Sequence, residues 1–259
     1  MTIIFEPSVY LVTRQAVINE ELNRFLVDHN FEWDYTSREK PGELAIEVAG
    51  RLCYLSYGTG RSDVPAYFKN ILDSHHGSVI EHAVWGFIFT GISRSLTHEL
   101  VRHRAGTSYS QLSQRYVNEA DANFVVPPAI IGHDDELSLW IQEVEADRNN
   151  YIARVDRMLK WPQFQAIENR TERRKAVREA ARSTLPNATE TMIFVTGNAR
   201  AWRNMLELRL SSHAELEIRR LQMKVYERLL EESPNVFGDY RKILLPDGTF
   251  EVTTENLKV

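Results

Sequence analysis

Apolar positions recur every three or four residues over long parts of this chain. Shorter stretches instead run consecutively through β-branched and aromatic residues. Residues 8–18 (SVYLVTRQAVI) read as a strand. Between residues 43 and 57, Ala45, Val48, Ala49, Leu52 and Cys53 fall at helical spacing. Gly58 and Gly60 end that helix, leaving SYGTGRSD as loop. Pro65 suits the first turn of a second helix, with Phe68, Ile71 and Leu72 on its apolar face and Gly77 just past its end. Residues 79–92 (VIEHAVWGFIFTGI) predict a long buried strand. Ser93 or Ser95 caps a third helix, which carries Leu96 and Leu100 and delivers Arg102-His103-Arg104 near its end.

SYSQLSQRYV has no clean period and reads as extended loop or irregular strand. NFVVPP is a short strand stopped by Pro127 and Pro128. Residues 135–161 form a long polar helix with apolar Leu139, Ile141, Val144, Ile152, Val155 and Leu159. Residues 171–185 form a basic helix ended by Pro186, and residues 191–197 a strand. From Ala199 to about Glu232 the pattern is one helix, or two joined near Ser211, where Ser212 and Glu215 have capping-box spacing. LPDGTF is a turn between two short strands, because Asp-Gly supplies the unusual backbone angles. No repeat, low-complexity tract or linker interrupts the chain. The expectation is a single α+β domain over residues 1–259, a β-sheet flanked by long helices.

Composition narrows the function classes. Hydrophobic residues make up 43% of 259 residues, enough for a sizeable core and against disorder. The one cysteine excludes an internal disulfide framework and a multi-cysteine metal cluster. The start, MTIIFEPSVYLVTRQ, lacks the basic and apolar regions of a signal peptide, and no stretch approaches the roughly 18 apolar residues of a membrane span. A cytoplasmic protein is expected.

Net charge is −5, yet RHRAGTSYSQLSQRY gathers three arginines, a histidine and several hydroxyls. Arginine offers a planar fork that meets phosphate at two points and stays charged at any working pH. Cations clustered on an acidic background suggest a focused site for a small polyphosphate ligand. The bland alternative is a helix C-terminus dressed with cations. That covers Arg102 and Arg104 but not Ser108, Ser110, Ser113 and Arg115. Arg174, Arg178 and Arg182 share a helix face. The first two read as solvated, whereas Arg182, among Ala180, Ala181 and Leu185, lies nearer the buried stripe and needs an anion or several acceptors. Asn198, Arg200, Asn204, Arg209 and His213 punctuate an apolar helical pattern and need hydrogen-bond partners, within the protein or in a ligand. His75, His76, Glu81, His82, His98, Glu99 and His103 raise a metal hypothesis, but none has the HExxH spacing; no metal is expected. Cys53, at core spacing, reads as a buried structural thiol rather than a nucleophile. Neither GxGxxG after a strand nor GxxxxGK[ST] is present.

Together these motifs resemble the flavin-dependent thymidylate synthases. That family's signature is RHR, seven or eight residues, then S-x-R; here eight residues separate Arg104 from Ser113-Gln114-Arg115. GSVIEHAVWGF, AARSTLPNATET and GNARAWRNMLELRLSSHAELEIR resemble further family segments in the same order, so the likeness spans roughly residues 45–235. It implies methylation of dUMP to dTMP, with methylenetetrahydrofolate as carbon donor, FAD as hydride carrier and NADPH as its reductant. It also implies that no enzyme nucleophile is used, and that the protein is a homotetramer with shared active sites.

Carried over position by position, the resemblance implies flavin contacts at Ser78, Glu81, Arg102, His103, Arg104, Gln111, Asn198, Ala199, Arg200 and Asn204. It implies dUMP contacts at Glu99, Leu100, Val101, Arg102, Gln111, Leu112, Ser113, Gln114, Arg115, Arg182 and Arg209. Among these, Ser113, Arg115 and Arg182 suit the phosphate. Arg209 matches the residue that faces the uracil edge and acts catalytically, because a fixed cation beside a ring gaining negative charge stabilises the transition state. His76 and His82 match positions around the flavin ring. Two other readings of the same residues are a non-catalytic nucleotide- or RNA-binding module and a metal-dependent hydrolase.

Overall fold

Runs of β-branched and aromatic residues become strands, and periodic stretches become helices, in the computed structural model, which describes residues 1–259. The chain opens with β1 (Ile3–Ile4), β2 (Ser8–Arg14) and α1 (Asn19–Asp28). Next come α2 (Pro41–Tyr54), α3 (Val64–Asp73), α4 (Gly77–Ile80), β3 (Val84–Ser93) and α5 (Arg94–Leu100). β4 (Thr107–Gln111) and β5 (Phe124–Val125) precede α6 (Asp134–Met158), α7 (Pro162–Gln165) and α8 (Arg170–Ala181). β6 (Glu190–Asn198), α9 (Ala199–Arg209), α10 (Leu216–Glu232), α11 (Pro234–Phe237), β7 (Arg241–Leu244) and β8 (Phe250–Thr253) complete an α+β fold.

Local chemistry explains most boundaries. The Asp63 carboxylate accepts from Ala66 N and starts α3 with Pro65 in its first turn; the Ser93 hydroxyl accepts from Leu96 N and starts α5. The strand expected over 79–92 begins only at Val84, because residues 77–80 close a short helix first. SYSQ of the irregular segment joins β4, and α1, α7 and α11 lie where no element was expected. The long C-terminal helix is two helices, broken at Leu210–Glu215. No capping box forms there. Glu215 makes no side-chain cap, and Ser212 N donates to Glu251 Oε2 instead. The Asp-Gly turn joins β7 and β8 as expected, antiparallel, with Gly248 at φ 77°.

A four-stranded sheet has the order β2-β3-β6-β4, and β1 pairs in parallel with β5. The chain divides into two compact units. The first comprises residues 1–8, 89–102 and 110–193; its core includes Phe89, Ile92, Leu96, Phe124, Tyr151, Val177 and Ile193. The second comprises residues 9–88, 103–109 and 194–259, with edge-to-face pairs Trp85–Phe237 and Phe87–Trp202 at its centre.

The inner face of α2 corrects the reading of Cys53. That face is not the apolar stripe alone but includes Glu43, Glu47 and Arg51, all buried, and it turns Leu52, Cys53 and Tyr54 to solvent. Polar residues occupy core positions because they are paired. Glu47 Oε1 accepts from Arg51 Nε and Nη2 (2.9 and 2.7 Å), and Oε2 accepts from Arg38 Nε (3.1 Å). Arg51 also donates to the carbonyls of Ser56, Thr59 and Arg61, and so holds the SYGTGR loop.

Glu47 has no solvent exposure, so its removal strands the Arg51 charge. Glu47→Ala is expected to lower unfolding free energy by about 3–5 kcal/mol. Urea unfolding with an unchanged slope checks this; a loss below about 1 kcal/mol contradicts it.

Candidate functional site

In the second unit the site grows from the junction of β6 and α9. Asn198 ends the strand and caps the helix, its Oδ1 accepting from Ala201 N at 2.8 Å. Its own N–H donates to Gly106 O, and Ala199 N donates to Ala83 O. Three separate segments are thereby tied together by backbone bonds. They form a pocket of about 380 Å³ lined by Glu81, Ala105, Gly106, Asn198, Arg200, Ala201, Asn204, Lys258 and Val259. That volume is within the ordinary range for small-molecule sites.

Charge and close approach shape this pocket. Arg200 Nη1 donates to Glu81 Oε1 at 2.8 Å, with both side chains nearly half exposed. The first turn of α9, the positive end of its dipole, forms part of the wall. Gly106 has φ 70°, and a Cβ there would lie 2.7 Å from Asn198 Nδ2. Glycine is therefore required twice over, by conformation and by space.

Also in this unit, Arg209 ends α9 and its Nε donates to His103 Nε2 at 3.0 Å. Accepting at Nε2 makes His103 a neutral ring with its proton on Nδ1. The hydroxyls of Thr107 and Tyr109 both donate to His103 O, fixing the backbone of the triplet. Burial raises the Tyr109 hydroxyl above its usual range. Ser78 and Arg104 are exposed, and Ala199 is buried; with His103 and Arg209 they stand outside the pocket lining. His76 caps α4 without a side-chain bond and His82 is exposed; neither lines the pocket.

The first unit holds the remaining candidates. Glu99, Leu100, Val101 and Arg102 lie at the end of α5; Leu100 is buried and Arg102 exposed. Gln111 Nε2 donates to Thr97 Oγ1 (3.1 Å) and Thr191 Oγ1 (3.3 Å), which locks its amide. Leu112 N donates to Met192 O. Ser113 Oγ accepts from Arg115 N, and Arg115 Nε pairs with Glu179 Oε2 at 2.7 Å on the surface. Gln114 is buried, its Nε2 without a protein partner. Arg182 is half-buried at the C-cap of α8.

Arg178 departs from its solvated reading, for it donates to Tyr116 O. It also faces Glu119, a residue that attracted no attention in the sequence. Glu119 is only 3% exposed, and its Oε1 has no hydrogen-bond partner. Burial pushes its carboxyl up to about 7, although the charges of Arg94 and Arg178 act downward. Burial also lowers the neighbouring Arg94. This buried carboxylate among arginines was invisible because VNEADAN carries no periodic pattern. The Lys258-Val259 wall was equally unmarked, and Gly106 showed only as a glycine inside RHRAG.

No group of three or more His, Cys, Asp or Glu side chains is placed to hold a metal ion. Cys53 is exposed, and its Sγ donates to Ala49 O.

Comparison with known proteins follows the same residues. The family model described as thymidylate synthase complementing protein matches residues 34–235. The chain is 47% identical over 219 residues to a flavin-dependent thymidylate synthase of Mycolicibacterium vanbaalenii, covering 83% of this chain and 86% of that one. It is 44% identical over 238 residues to that of Mycobacterium leprae, covering 90% and 92%. The fold is similar to a UMP/dUMP methylase, PolB, from Streptomyces cacaoi, with TM-score 0.65 at 20% identity over 92% of this chain and 96% of that one.

Glu119 sets a pH dependence. Its folded value, about 7, lies above the ordinary 4.5, so between those values the folded state binds the extra proton. Stability is then fully present below about pH 4.5 and declines as pH rises through about 7. Glu119→Gln is expected to flatten this limb of the curve in denaturant unfolding at pH 5 and pH 8. An unchanged difference between the two pH values contradicts the assignment.

Proposed function

The chain belongs to the thymidylate synthase complementing protein family, the flavin-dependent thymidylate synthases, and from that premise we propose how its own residues divide the reaction. It is an enzyme that converts dUMP to dTMP with FAD as cofactor. Methylenetetrahydrofolate is the proposed carbon donor and NADPH the proposed reductant. FAD, when bound, supplies the hydride that turns the transferred methylene into a methyl group.

The pocket at the β6–α9 junction is the proposed flavin site. One observation carries this reading: Glu81 and Arg200, 119 positions apart, meet in one pocket with Asn198 and Asn204. The donor set fits the cofactor. Two asparagine amides can hold ring or ribose polar atoms, while Arg200, Lys258 and a helix N-terminus suit a diphosphate. Gly106 leaves room for the Asn198 side chain, which a Cβ there would displace. Ser78, Arg102, His103, Arg104, Gln111 and Ala199 remain proposed flavin contacts on the family pattern.

Proposed dUMP contacts run from Glu99 through Arg102 and from Gln111 through Arg115, with Arg182 and Arg209. Ser113, Arg115 and Arg182 are the phosphate contacts. The surface pair of Arg115 and Glu179 is worth about 1 kcal/mol or less, so a phosphate can replace the carboxylate at little cost. Arg209 is the proposed catalytic residue. Its bond to His103 fixes the guanidinium before substrate arrives, and a preorganised cation stabilises charge developing at the uracil ring. Cys53 does not line the pocket, which suits a reaction that uses no enzyme thiolate.

A homotetramer with shared active sites is proposed. It rests on the family pattern. No helix is long and apolar enough to cross a membrane, and the cytoplasm is the proposed location. Light scattering is expected to report four chains; a monomer that retains flavin tightly contradicts shared sites.

Purified protein is expected to be yellow and to release FAD on denaturation. A colourless protein that takes up no added FAD sinks the flavin reading. Arg209→Ala should keep flavin and fold but slow dTMP formation by about a hundredfold to a thousandfold. Lysine should restore only part of the rate, since a point charge does not replace a planar fork. Arg182→Ala should instead raise the KM for dUMP. Single-turnover flavin oxidation with saturating dUMP and methylenetetrahydrofolate checks this. A wild-type rate in Arg209→Ala overturns its catalytic role.

A further inference from the structure

The matched family region ends at residue 235, yet the pocket wall does not. After β8 the chain returns to α9 and is fastened there by a series of polar bonds. Thr254 Oγ1 and Asn256 Nδ2 both donate to Asp239 Oδ2. Arg203 Nη2 donates to Asn256 O at 3.1 Å, and Lys258 N donates to Glu207 Oε2 at 3.2 Å. Lys258 has φ 62°, a left-handed backbone that a non-glycine residue rarely adopts. Val259 is buried, and Gly77 leaves it room: a Cβ there would lie 3.0 Å from Val259 C and 2.9 Å from Arg200 Nε.

The result is an exposed lysine held by its backbone at the pocket edge, where it lines the cavity together with Arg200, Asn198 and Asn204. Arg200 is already balanced by Glu81. Lys258 is the second basic residue on this wall, and no carboxylate pairs with its side chain. We infer that Lys258 is a cofactor-binding residue that contacts a phosphoryl oxygen of the flavin dinucleotide, carried into place by the segment after β8. The inference rests on the reading of this pocket as the flavin site. An ammonium suits the task, since a phosphoryl oxygen accepts from a point-charge donor in any orientation. NADPH carries the same phosphoryl chemistry, so the test separates the two.

The experiment uses the full chain stripped of flavin and titrated with FAD and with riboflavin, followed by flavin fluorescence. NADPH affinity is read separately from the concentration dependence of anaerobic flavin reduction. Lys258→Ala is expected to weaken FAD binding about tenfold, the effect of losing one charge-assisted bond, and Lys258→Glu more. Lys258→Arg should recover most of the affinity. Riboflavin, which lacks phosphate, should bind wild type and variants alike, and circular dichroism should show an unchanged fold. Equal FAD affinity in wild type, Lys258→Ala and Lys258→Glu overturns the inference. So does a matching loss for riboflavin, which would mean packing, or a change confined to NADPH, which would move the contact to the reductant. If wild type takes up no FAD at all, the flavin reading itself fails, and the inference fails with it.

Discussion

A guanidinium with no access to water governs the second unit. Arg203 is fully buried and binds both oxygens of Asp239, at 2.7 and 2.9 Å. It further donates to the carbonyls of Val236 and Asn256, and the Tyr240 ring lies 4.7 Å from its Cζ. Charge removed from water is tolerable only when paired and hydrogen-bonded throughout. The segment around Asp239 and the segment around Asn256 are therefore both bound to return to α9. Burial alone would raise the Asp239 carboxyl, but Arg203 outweighs it and holds the group below its usual range. The tyrosine beside this pair extends the network: Tyr240 donates to Glu207, whose other oxygen receives Lys258 N. A buried ion pair thus determines where the pocket wall stands.

Cations at the surface obey the opposite rule. Arg200 with Glu81, and Arg115 with Glu179, are pairs whose side chains are about 40–51% exposed. Each is worth little in stability, so the carboxylate is readily exchanged for another partner. Partial neutralisation also suits a chain of net charge −5, because the arginines need not repel one another before ligand arrives. Arginines of this protein sort by burial: the buried ones, Arg51, Arg203 and Arg219, hold loops and segments in place, and the exposed ones are available to anions.

The sequence made most regular elements legible because their signals are local. Asp63, Ser93 and Pro65 mark helix starts, and Asp247-Gly248 marks the hairpin turn. Four residues gathered by the family pattern, Glu81, Asn198, Arg200 and Asn204, meet in one pocket. What escaped reading is non-local. Periodicity places Cys53 in the core, but the buried face of α2 also carries Glu43, Glu47 and Arg51, whose pairing is completed from outside the helix by Arg38, Ser233 and Asn235. Glu119 is shaped by Arg94 and Arg178, from two distant helices. Lys258 is placed by partners between 2 and 55 positions away, none of which forms a motif with it.

The break after α9 shows the same division. Its position near Ser211 was visible, because the helical pattern weakens there. Its chemistry was not, because the exposed groups are satisfied by a strand instead of a capping box. Ser212 N goes to the Glu251 carboxylate, and Leu210 O accepts from Val252 N. β8 thereby fixes where α9 stops, and Arg209 stands in its last turn. A cation is favoured at that negative end of the helix dipole by about 0.3–1 kcal/mol. The bond to His103 adds a direction to what would otherwise be a flexible side chain. Helix end, imidazole acceptor and strand together limit how far the Arg209 side chain can reorient. A shorter helix, or one running on into α10, would carry the same residue without that constraint.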